Sequence, residues 1–178
     1  LISLDRQLER WVVQHRVGWL NWLFVDLTRI GSDGLVFIVV GAVLALVWRR
    51  PWFLALLITA DLAADGLSLA LRQAIGRARP PSVYREPEPL VHVPSSGAFP
   101  SGHASAAFAC ATVIAWGSRR LAAPAFVLAV AIAWSRVYVG VHWPLDVLGG
   151  AALGVLVSTA LLKLVAIPRR SLREPRAG

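Results

Sequence analysis

The stretch LDVLGGAALGVLVSTALLKLVAI at residues 145–167 contains only two charged side chains, Asp146 and Lys163. A helix of about 20 apolar residues is long enough to cross the hydrocarbon core of a bilayer. Four more apolar stretches precede it: Gly34–Trp48, Trp52–Leu71, Ala104–Gly117 and Leu121 to about Val141. We therefore predict an all-α fold, an integral-membrane helical bundle with about five transmembrane helices. A sixth is expected if the full-length protein has a segment ahead of Leu1.

The composition of the 178 residues agrees with a membrane protein. Apolar residues make up 57% and charged residues 16%, with a mean hydropathy of +0.63. Soluble domains average roughly 45–50% apolar and about 25% charged residues. Intrinsic disorder is thereby excluded, and a soluble helical bundle is the less favoured alternative. The single cysteine, Cys110, excludes an intramolecular disulfide and a cysteine-based zinc site. The chain contains no Met, so we expect that its native start is missing.

The first 32 residues have a different pattern. Apolar residues recur at helical spacing, at Leu4, Leu8, Trp11 and Val12. Charged residues fall on the other face, at Asp5, Arg6, Glu9 and Arg10. This pattern predicts an amphipathic helix at the membrane interface, with a helix that caps the bundle as the alternative. We divide the chain into an amphipathic interfacial segment (1–32), a transmembrane domain that carries the chemistry (33–167) and a basic cytoplasmic tail (168–178).

The net charge is +8, and all but one of the 18 basic residues are Arg. Nucleic-acid binders are rarely this apolar, so we expect membrane lipids and no nucleic acid as partners. Arginine clusters follow alternate ends of the spans, at Arg49-Arg50, Arg119-Arg120 and Arg169-Arg170. The positive-inside rule places these clusters in the cytoplasm. The loops at the opposite end, 72–100 and 141–144, then face the extracytoplasmic side.

The remaining ionisable residues collect at that opposite end. Because three arginines near one another repel, an anion is expected among them, and a guanidinium fork matches phosphate. Pro100-Ser101-Gly102-His103 resembles a helix N-terminus, whose free N–H groups also attract anions. The outward-end residues that we single out are Arg72, Arg79, Pro100, Ser101, Gly102, His103, Arg136, His142 and Asp146.

His142 and Asp146 are four residues apart, so they can share one face of a helix that begins at about Pro144. The carboxylate of Asp146 could then accept Nδ1–H of His142 and leave Nε2 free as a nucleophile. His103 would be a second imidazole, able to protonate a leaving oxygen.

Three motifs in order, Arg72-x6-Arg79-Pro80, Pro100-Ser101-Gly102-His103 and Ser135-Arg136-x5-His142-x3-Asp146, resemble the signature of the type 2 phosphatidic acid phosphatase (PAP2) superfamily. The resemblance covers roughly residues 20–165. The family pattern has Lys where this chain has Arg72, which keeps the charge but replaces a compact ammonium with a planar fork.

The resemblance implies a metal-independent membrane phosphatase without a cofactor. It makes His142 the nucleophile that forms a phosphohistidine, Asp146 the residue that orients it and His103 the proton donor to the leaving oxygen. Its phosphate-binding residues would be Arg72, Arg79, Ser101, Gly102 and Arg136. The expected substrate is a lipid phosphate, with polyprenyl diphosphate or phosphate favoured over phosphatidylglycerol phosphate or phosphatidic acid. The expected location is the bacterial inner or plasma membrane.

Other chemistries stay open at this point. His103, His142 and Asp146 could bind zinc, although the surrounding arginines disfavour a cation. The same motifs occur in soluble vanadium haloperoxidases, which the five predicted spans argue against. A non-catalytic lipid-phosphate binder or carrier is the alternative from a different class, but it would need only the arginines.

Several residues near the motifs have simpler interpretations. We interpret Arg77 and Arg85 as solvated loop residues, with a second phosphate of a diphosphate as the alternative contact of Arg77. Asp61 and Asp65 are expected to pair with an arginine such as Arg72. Trp143 could touch a lipid tail. The glycines expected to allow close helix packing are Gly149, Gly150 and Gly154.

Overall fold

The structure is a computed structural model that describes residues 2–165, and within this range the chain is helical without β-strands. The eight α-helices of this part are α1 (Ile2–Gln14), α2 (Gly18–Ile30), α3 (Leu35–Val47), α4 (Pro51–Ile75), α5 (Pro80–Val83), α6 (Gly102–Gly117), α7 (Arg119–Tyr138) and α8 (Pro144–Val165), with one 3-10 turn at Ser32–Gly34. The all-α prediction is confirmed. The predicted basic tail at 168–178 lies outside the described residues.

Among residues 2–165, three segments are long and apolar enough to cross a membrane: Pro51–Val83, α7 and α8. A fourth span results if α2 and α3, which meet at an angle of 59°, are counted as one bent helix. The predicted stretch Ala104–Gly117 falls within α6, which has only 16 residues. The predicted span Trp52–Leu71 ends too early, because α4 continues to Ile75. Five transmembrane helices are therefore not confirmed.

Helix α6 lies at the centre of the bundle and packs against α4, α7 and α8. Most of its residues are small and buried, which lets the neighbouring backbones come close. A Cβ on Gly150 of α8 would collide with the carbonyl oxygen of Ser101, and one on Gly154 with that of Ser105. A Cβ on Gly149 would instead meet the ring of Phe99. The predicted close helix packing is confirmed at Gly150 and Gly154.

The ends of four helices meet at one end of the bundle. Helix α4 stops at Gly76, whose φ of 59° is in the left-handed region that glycine adopts at helix C-termini. Helix α6 begins directly after Ser101, as the motif predicts, and α8 begins at Pro144. The last turn of α7 carries Arg136. The arginine clusters Arg49-Arg50 and Arg119-Arg120 lie at the opposite ends of these helices.

Helix α1 buries its acidic residues and leaves part of its apolar surface uncovered. Asp5 and Glu9 are 4% and 1% exposed, whereas Leu4 and Trp11 are 66% and 60% exposed. The face that packs against the bundle is mixed, because Val12 and Val13 are buried together with the two acids. The prediction that α1 lies at the membrane interface is therefore not confirmed.

Candidate active site

The four helix ends enclose a cavity of about 160 Å³, which we call the arginine cavity. Six of the eight predicted site residues line it: Arg72, Arg79, Gly102, His103, Arg136 and His142. The first two come from the end of α4 and the start of α5, the next two from the start of α6, and the last two from α7 and the loop that follows it. Asp65, Pro94, Ser96 and Ala106 complete the lining.

Each of the three arginines is held by a different part of the fold. Arg79 is buried and donates hydrogen bonds to the carbonyl oxygens of Ser96 (2.9 Å), Gly97 (3.0 Å) and Val141 (2.9 Å). Arg136 donates from Nη1 to the hydroxyl of Thr28. These contacts direct both guanidinium groups at the cavity and restrict their motion.

Arg72 pairs with Asp65 across 3.5 Å, so the predicted partnership between these residues is confirmed. The Nε atoms of Arg72 and Arg136 are buried and make no hydrogen bond to the described part of the chain. Buried donors without an acceptor are costly. An anion in the cavity would supply the missing acceptors.

His142 is buried, and its two ring nitrogens face different partners. Nε2 lies 3.0 Å from Nη1 of Arg79. An arginine can only donate, so Nε2 carries the lone pair and the ring proton is on Nδ1. Burial first, and then the charges of Arg79 and Arg136, lower the pKa of His142 well below its usual value. His142 is therefore a neutral imidazole with its basic nitrogen at the cavity.

Asp146 lies behind His142, on the side away from the cavity. Its Oδ2 is 3.5 Å from Nδ1 of His142 and accepts the backbone N–H of Trp143 at 2.9 Å. Nδ1 makes no hydrogen bond to the described residues. Contacts of this kind often tighten when substrate binds. Asp146 thus lies beside His142 as predicted, but His142 precedes the first residue of α8, so the two residues do not share a helical turn.

The start of helix α6 brings a second imidazole, that of His103, and the backbone of Gly102 to the cavity. Nε2 of His103 lies 3.2 Å from the hydroxyl of Ser32. A Cβ on Gly102 would collide with Nη1 of Arg72 and the carboxylate of Asp65, so a larger residue here would displace these two side chains. The N–H groups of the first helical turn have no partner within the helix, which makes them available to an anion.

Ser101 is buried beside the cavity and is not among its lining residues. Its hydroxyl has no hydrogen-bond partner in the described part of the chain, and its backbone N–H donates to the carbonyl of Asp146 at 2.9 Å. This backbone contact joins the start of α6 to the start of α8. Ser101 thereby connects the two helices that carry His103 and Asp146.

Two contacts from the N-terminal third of the chain were not predicted from the sequence. Thr28 at the end of α2 holds Arg136, and Ser32 in the 3-10 turn reaches His103. Neither residue stands in a recognisable motif, and no local signal pointed to them. Thr28 is a buried polar residue near the end of α2, and its burial is known only once the fold is known.

Two interpretations of neighbouring residues were wrong. Arg77 is not a solvated loop residue, because it forms ion pairs with Asp5 and Asp146. Trp143 does not face lipid: it is 1% exposed and donates from Nε1 to the carbonyl of Ala78 at 2.8 Å. Within residues 2–165, no group of three or more His, Cys, Asp or Glu side chains is arranged to hold a metal ion.

Comparison with known proteins agrees with this geometry. The family model described as the PAP2 superfamily matches residues 51–170, which include all three motifs. The chain belongs to the PAP2 superfamily. As a PAP2 protein it is a phosphatase, and its apolar helices and its relatives make it an integral membrane protein.

Named PAP2 relatives are phosphatases of membrane lipids. Phosphatidylglycerophosphatase B of Bacillus subtilis (strain 168) is 32% identical over 169 residues, covering 87% of this chain and 80% of the relative. The undecaprenyl-diphosphatase of Sulfolobus acidocaldarius is 29% identical over 163 residues, covering 88% and 76%. The crystal structure of a transmembrane PAP2 type phosphatidylglycerolphosphate phosphatase from Bacillus subtilis superposes with a TM-score of 0.74 at 29% identity, covering 92% of this chain and 85% of that one.

Proposed function

We propose that this PAP2 protein removes phosphate from a polyprenyl diphosphate or polyprenyl phosphate through a phosphohistidine on His142. One observation carries the proposal: the basic nitrogen of His142 opens onto a cavity lined by three arginines, with a carboxylate behind its other nitrogen. Phosphoryl transfer depends mainly on positioning and on stabilising charge. The arginine cavity supplies both.

In the proposed first step, Nε2 of His142 attacks phosphorus. An N–P bond forms while the bond from phosphorus to the leaving oxygen breaks, and His103, which begins the step as the imidazolium, gives one proton to that oxygen and becomes neutral. Asp146 holds Nδ1–H and stabilises the positive charge on the ring. In the second step His103 takes a proton from water, the water oxygen attacks phosphorus, and the N–P bond breaks to release phosphate.

The equatorial phosphate oxygens would be held by Arg72, Arg79 and Arg136, together with Ser101 and the amide of Gly102. The contact between Arg79 and Nε2 of His142 must break before attack, because the lone pair is engaged there. A phosphate dianion is a stronger acceptor than an imidazole nitrogen. Phosphate would therefore draw Arg79 away and free the nucleophile in the same movement.

The substrate class is inferred from the chemistry of the cavity and from the relatives. The arginine cavity has room for a phosphate, while apolar side chains such as Leu46, Val127 and Leu156 point out of the bundle, where a lipid tail would lie. Relatives named for undecaprenyl diphosphate and for phosphatidylglycerophosphate support a lipid phosphate. We favour the prenyl substrate and keep phosphatidylglycerol phosphate or phosphatidic acid as the alternative with the same mechanism.

We also propose that the site faces the extracytoplasmic side of a bacterial inner or plasma membrane. The arginine pairs Arg49-Arg50 and Arg119-Arg120 at the other end of the bundle support this orientation. In this arrangement five helices cross the membrane, α6 among them, and residues 1–32 form an interfacial segment ahead of the catalytic domain at 33–167.

A cysteine introduced at Ser82 in a Cys110→Ser background should react with an impermeant maleimide from the outside. Labelling only from the cytoplasmic side would contradict the orientation.

The test of the function is phosphate release by the purified full chain in detergent. Farnesyl diphosphate, undecaprenyl phosphate, phosphatidylglycerol phosphate and phosphatidic acid would be compared, with and without EDTA. We expect the highest kcat/KM on a prenyl substrate, no loss in EDTA, and no release by His142→Gln. If His142→Gln releases phosphate as fast as the parent, the phosphohistidine is excluded.

A non-catalytic lipid-phosphate binder is the alternative of a different class. Such a protein needs the arginines but neither imidazole. It would bind the lipid phosphates equally well before and after the His142→Gln change and release no phosphate in either form.

A further inference from the structure

Asp146 has a different partner on each of its carboxylate oxygens. Its side chain is fully buried. Oδ2 faces Nδ1 of His142 and accepts the N–H of Trp143, whereas Oδ1 accepts a hydrogen bond from Nη1 of Arg77 at 2.5 Å. Arg77 thus holds the oxygen that does not face His142. A rotation of the carboxylate that spoiled its aim at His142 would also break the bond to Arg77.

The same guanidinium group holds a second buried carboxylate. Nη2 of Arg77 donates to Oδ2 of Asp5 in helix α1, again at 2.5 Å, and the side chain of Asp5 is 1% exposed. Cζ of Arg77 also lies over the ring of Trp143, 5.8 Å from the ring centroid. With both terminal nitrogens engaged by carboxylates, Arg77 is poorly placed to bind a second phosphate, and it does not line the arginine cavity.

Asp5 is in turn fixed to the helix that carries Asp146. Its Oδ1 accepts the backbone N–H of Leu145 at 2.8 Å, in the first turn of α8. A carboxylate at this position also interacts favourably with the positive end of the helix dipole. The contacts therefore run from Leu145 through Asp5 and Arg77 to Asp146, and the loop is closed by the backbone between residues 145 and 146.

We propose that Asp5 and Arg77 are positioning residues of the phosphatase reaction, which hold the Asp146 carboxylate at the angle that directs Nε2 of His142 into the cavity. The inference rests on the proposed roles of His142 and Asp146. It gives helix α1 a part in the chemistry in addition to any contact with the membrane. Neither residue touches the phosphate.

The first experiment separates kcat from KM. Arg77→Gln and Asp5→Asn are made in the full chain and assayed in detergent on the lipid phosphate that the parent hydrolyses best. Small misplacements of reacting groups lower rates by up to about a hundredfold. We expect kcat to fall about 10- to 100-fold while KM changes less than about threefold, because the arginines of the cavity are untouched. Arg85→Gln and Asp26→Asn, at exposed positions, are the matched controls and should keep the parent kcat.

The second experiment asks whether Arg77 acts through Asp146. In an Asp146→Asn background the carboxylate that Arg77 orients is gone. Adding Arg77→Gln should then lower kcat less than about threefold relative to Asp146→Asn alone. A full additional loss would show that Arg77 acts elsewhere and would overturn the inference. Where Asp146→Asn is too slow to measure, the separation of kcat from KM decides. Arg77→Lys, which keeps the charge but only one arm of the fork, should recover part of the lost kcat.

Folding is checked by thermal unfolding and by elution volume for every variant. If Arg77→Gln does not fold, Arg77→Lys is compared with the parent instead, again for a lower kcat with a nearly unchanged KM. A parent that releases no phosphate, or a His142→Gln variant that does, contradicts the proposed function itself. An active parent and an inactive His142→Gln, combined with an unchanged kcat in Arg77→Gln and Asp5→Asn, contradict this inference alone.

Discussion

Nη1 of Arg79 donates a hydrogen bond to Nε2 of His142 at 3.0 Å, so an arginine of the proposed phosphate site engages the lone pair of the proposed nucleophile. Burial, and then the charge of Arg79, lower the pKa of His142 and keep the imidazole neutral. In the proposed mechanism, substrate binding and activation of His142 are therefore linked through one guanidinium group.

The Arg79–His142 contact predicts a pH effect. The pKa of His142 is lowered by burial and by Arg79, so its neutral form persists below the pH at which an ordinary histidine takes up a proton. Removing the charge in Arg79→Gln should raise that pKa toward its usual value. NMR titration of ¹³C-labelled histidine, assigned with His142→Gln, measures this without activity. An unchanged midpoint for His142 in Arg79→Gln would contradict the electrostatic link.

Variants of Arg72 test whether the site needs the positive charge at this position or the planar shape of the guanidinium group. Arg72→Lys keeps a cation at the position where the family has lysine, and should retain kcat/KM within about tenfold. Arg72→Ala leaves Asp65 without this arginine and removes a proposed phosphate ligand, so kcat/KM should fall by at least about a hundredfold. The two variants are compared in the phosphate-release assay. Equal activity of Arg72→Ala and the parent would remove Arg72 from the site.

Two glycines test the close packing of α6 and α8. A Cβ on Gly154 would lie 2.8 Å from the backbone nitrogen of Ala109, whereas one on Gly66 of α4 would have no atom within 4 Å. Gly154→Ala should destabilise the protein by about 1–3 kcal/mol, because backbone atoms must move. Gly66→Ala should be neutral or stabilising by up to about 1 kcal/mol. Thermal unfolding in detergent compares them, and equal melting temperatures would contradict the packing.

Glu9 predicts how stability depends on pH. Burial raises the pKa of Glu9 to about 7, against the opposing effects of Arg10 and Arg16. A carboxyl whose pKa is higher in the folded state favours folding when protonated, so its contribution is lost as pH rises from about 4.5 to about 7. The loss is about 3 kcal/mol at most.

Glu9→Gln should remove this decline and make the protein more stable than the parent at pH 8. The measurement is the melting temperature at pH 5 and at pH 8. Glu86→Gln, at an exposed position, is the matched control and should follow the parent. If Glu9→Gln and the parent lose the same stability over this range, the group that titrates is a different one.

The motif spacing was sufficient to predict which residues would meet. Successive helices of an antiparallel bundle place every second end on the same side, so residues just before or after a span, such as Arg79, His103 and His142, converge. The spacing of four brings the side chains of His142 and Asp146 to 3.5 Å, although His142 itself precedes α8.

What the sequence could not show depends on contacts between distant residues. The pairing of Asp5 with Arg77 joins positions 72 residues apart, and nothing in either local pattern indicates it. The apolar stripe of α1 suggested that its acids face water, but both Asp5 and Glu9 are buried. Asp5 pairs with Arg77 in the loop after α4, whereas the arginines that act on Glu9 are Arg10 and Arg16, in and directly after α1. The number of spans was also uncertain from hydropathy, since α6 is short and α2 and α3 meet at an angle.

The shared guanidinium group of Arg77 also bears on how such proteins can be recombined. Because α1 and the start of α8 are joined through positions 5, 77 and 146, a chimera that takes its first helix from a relative inherits half of an ion-pair network. The exchange would succeed only where the donor carries a carboxylate at position 5 and the recipient keeps its arginine at position 77. The N-terminal helix and the loop after α4 must therefore be exchanged together, although they are far apart in the chain.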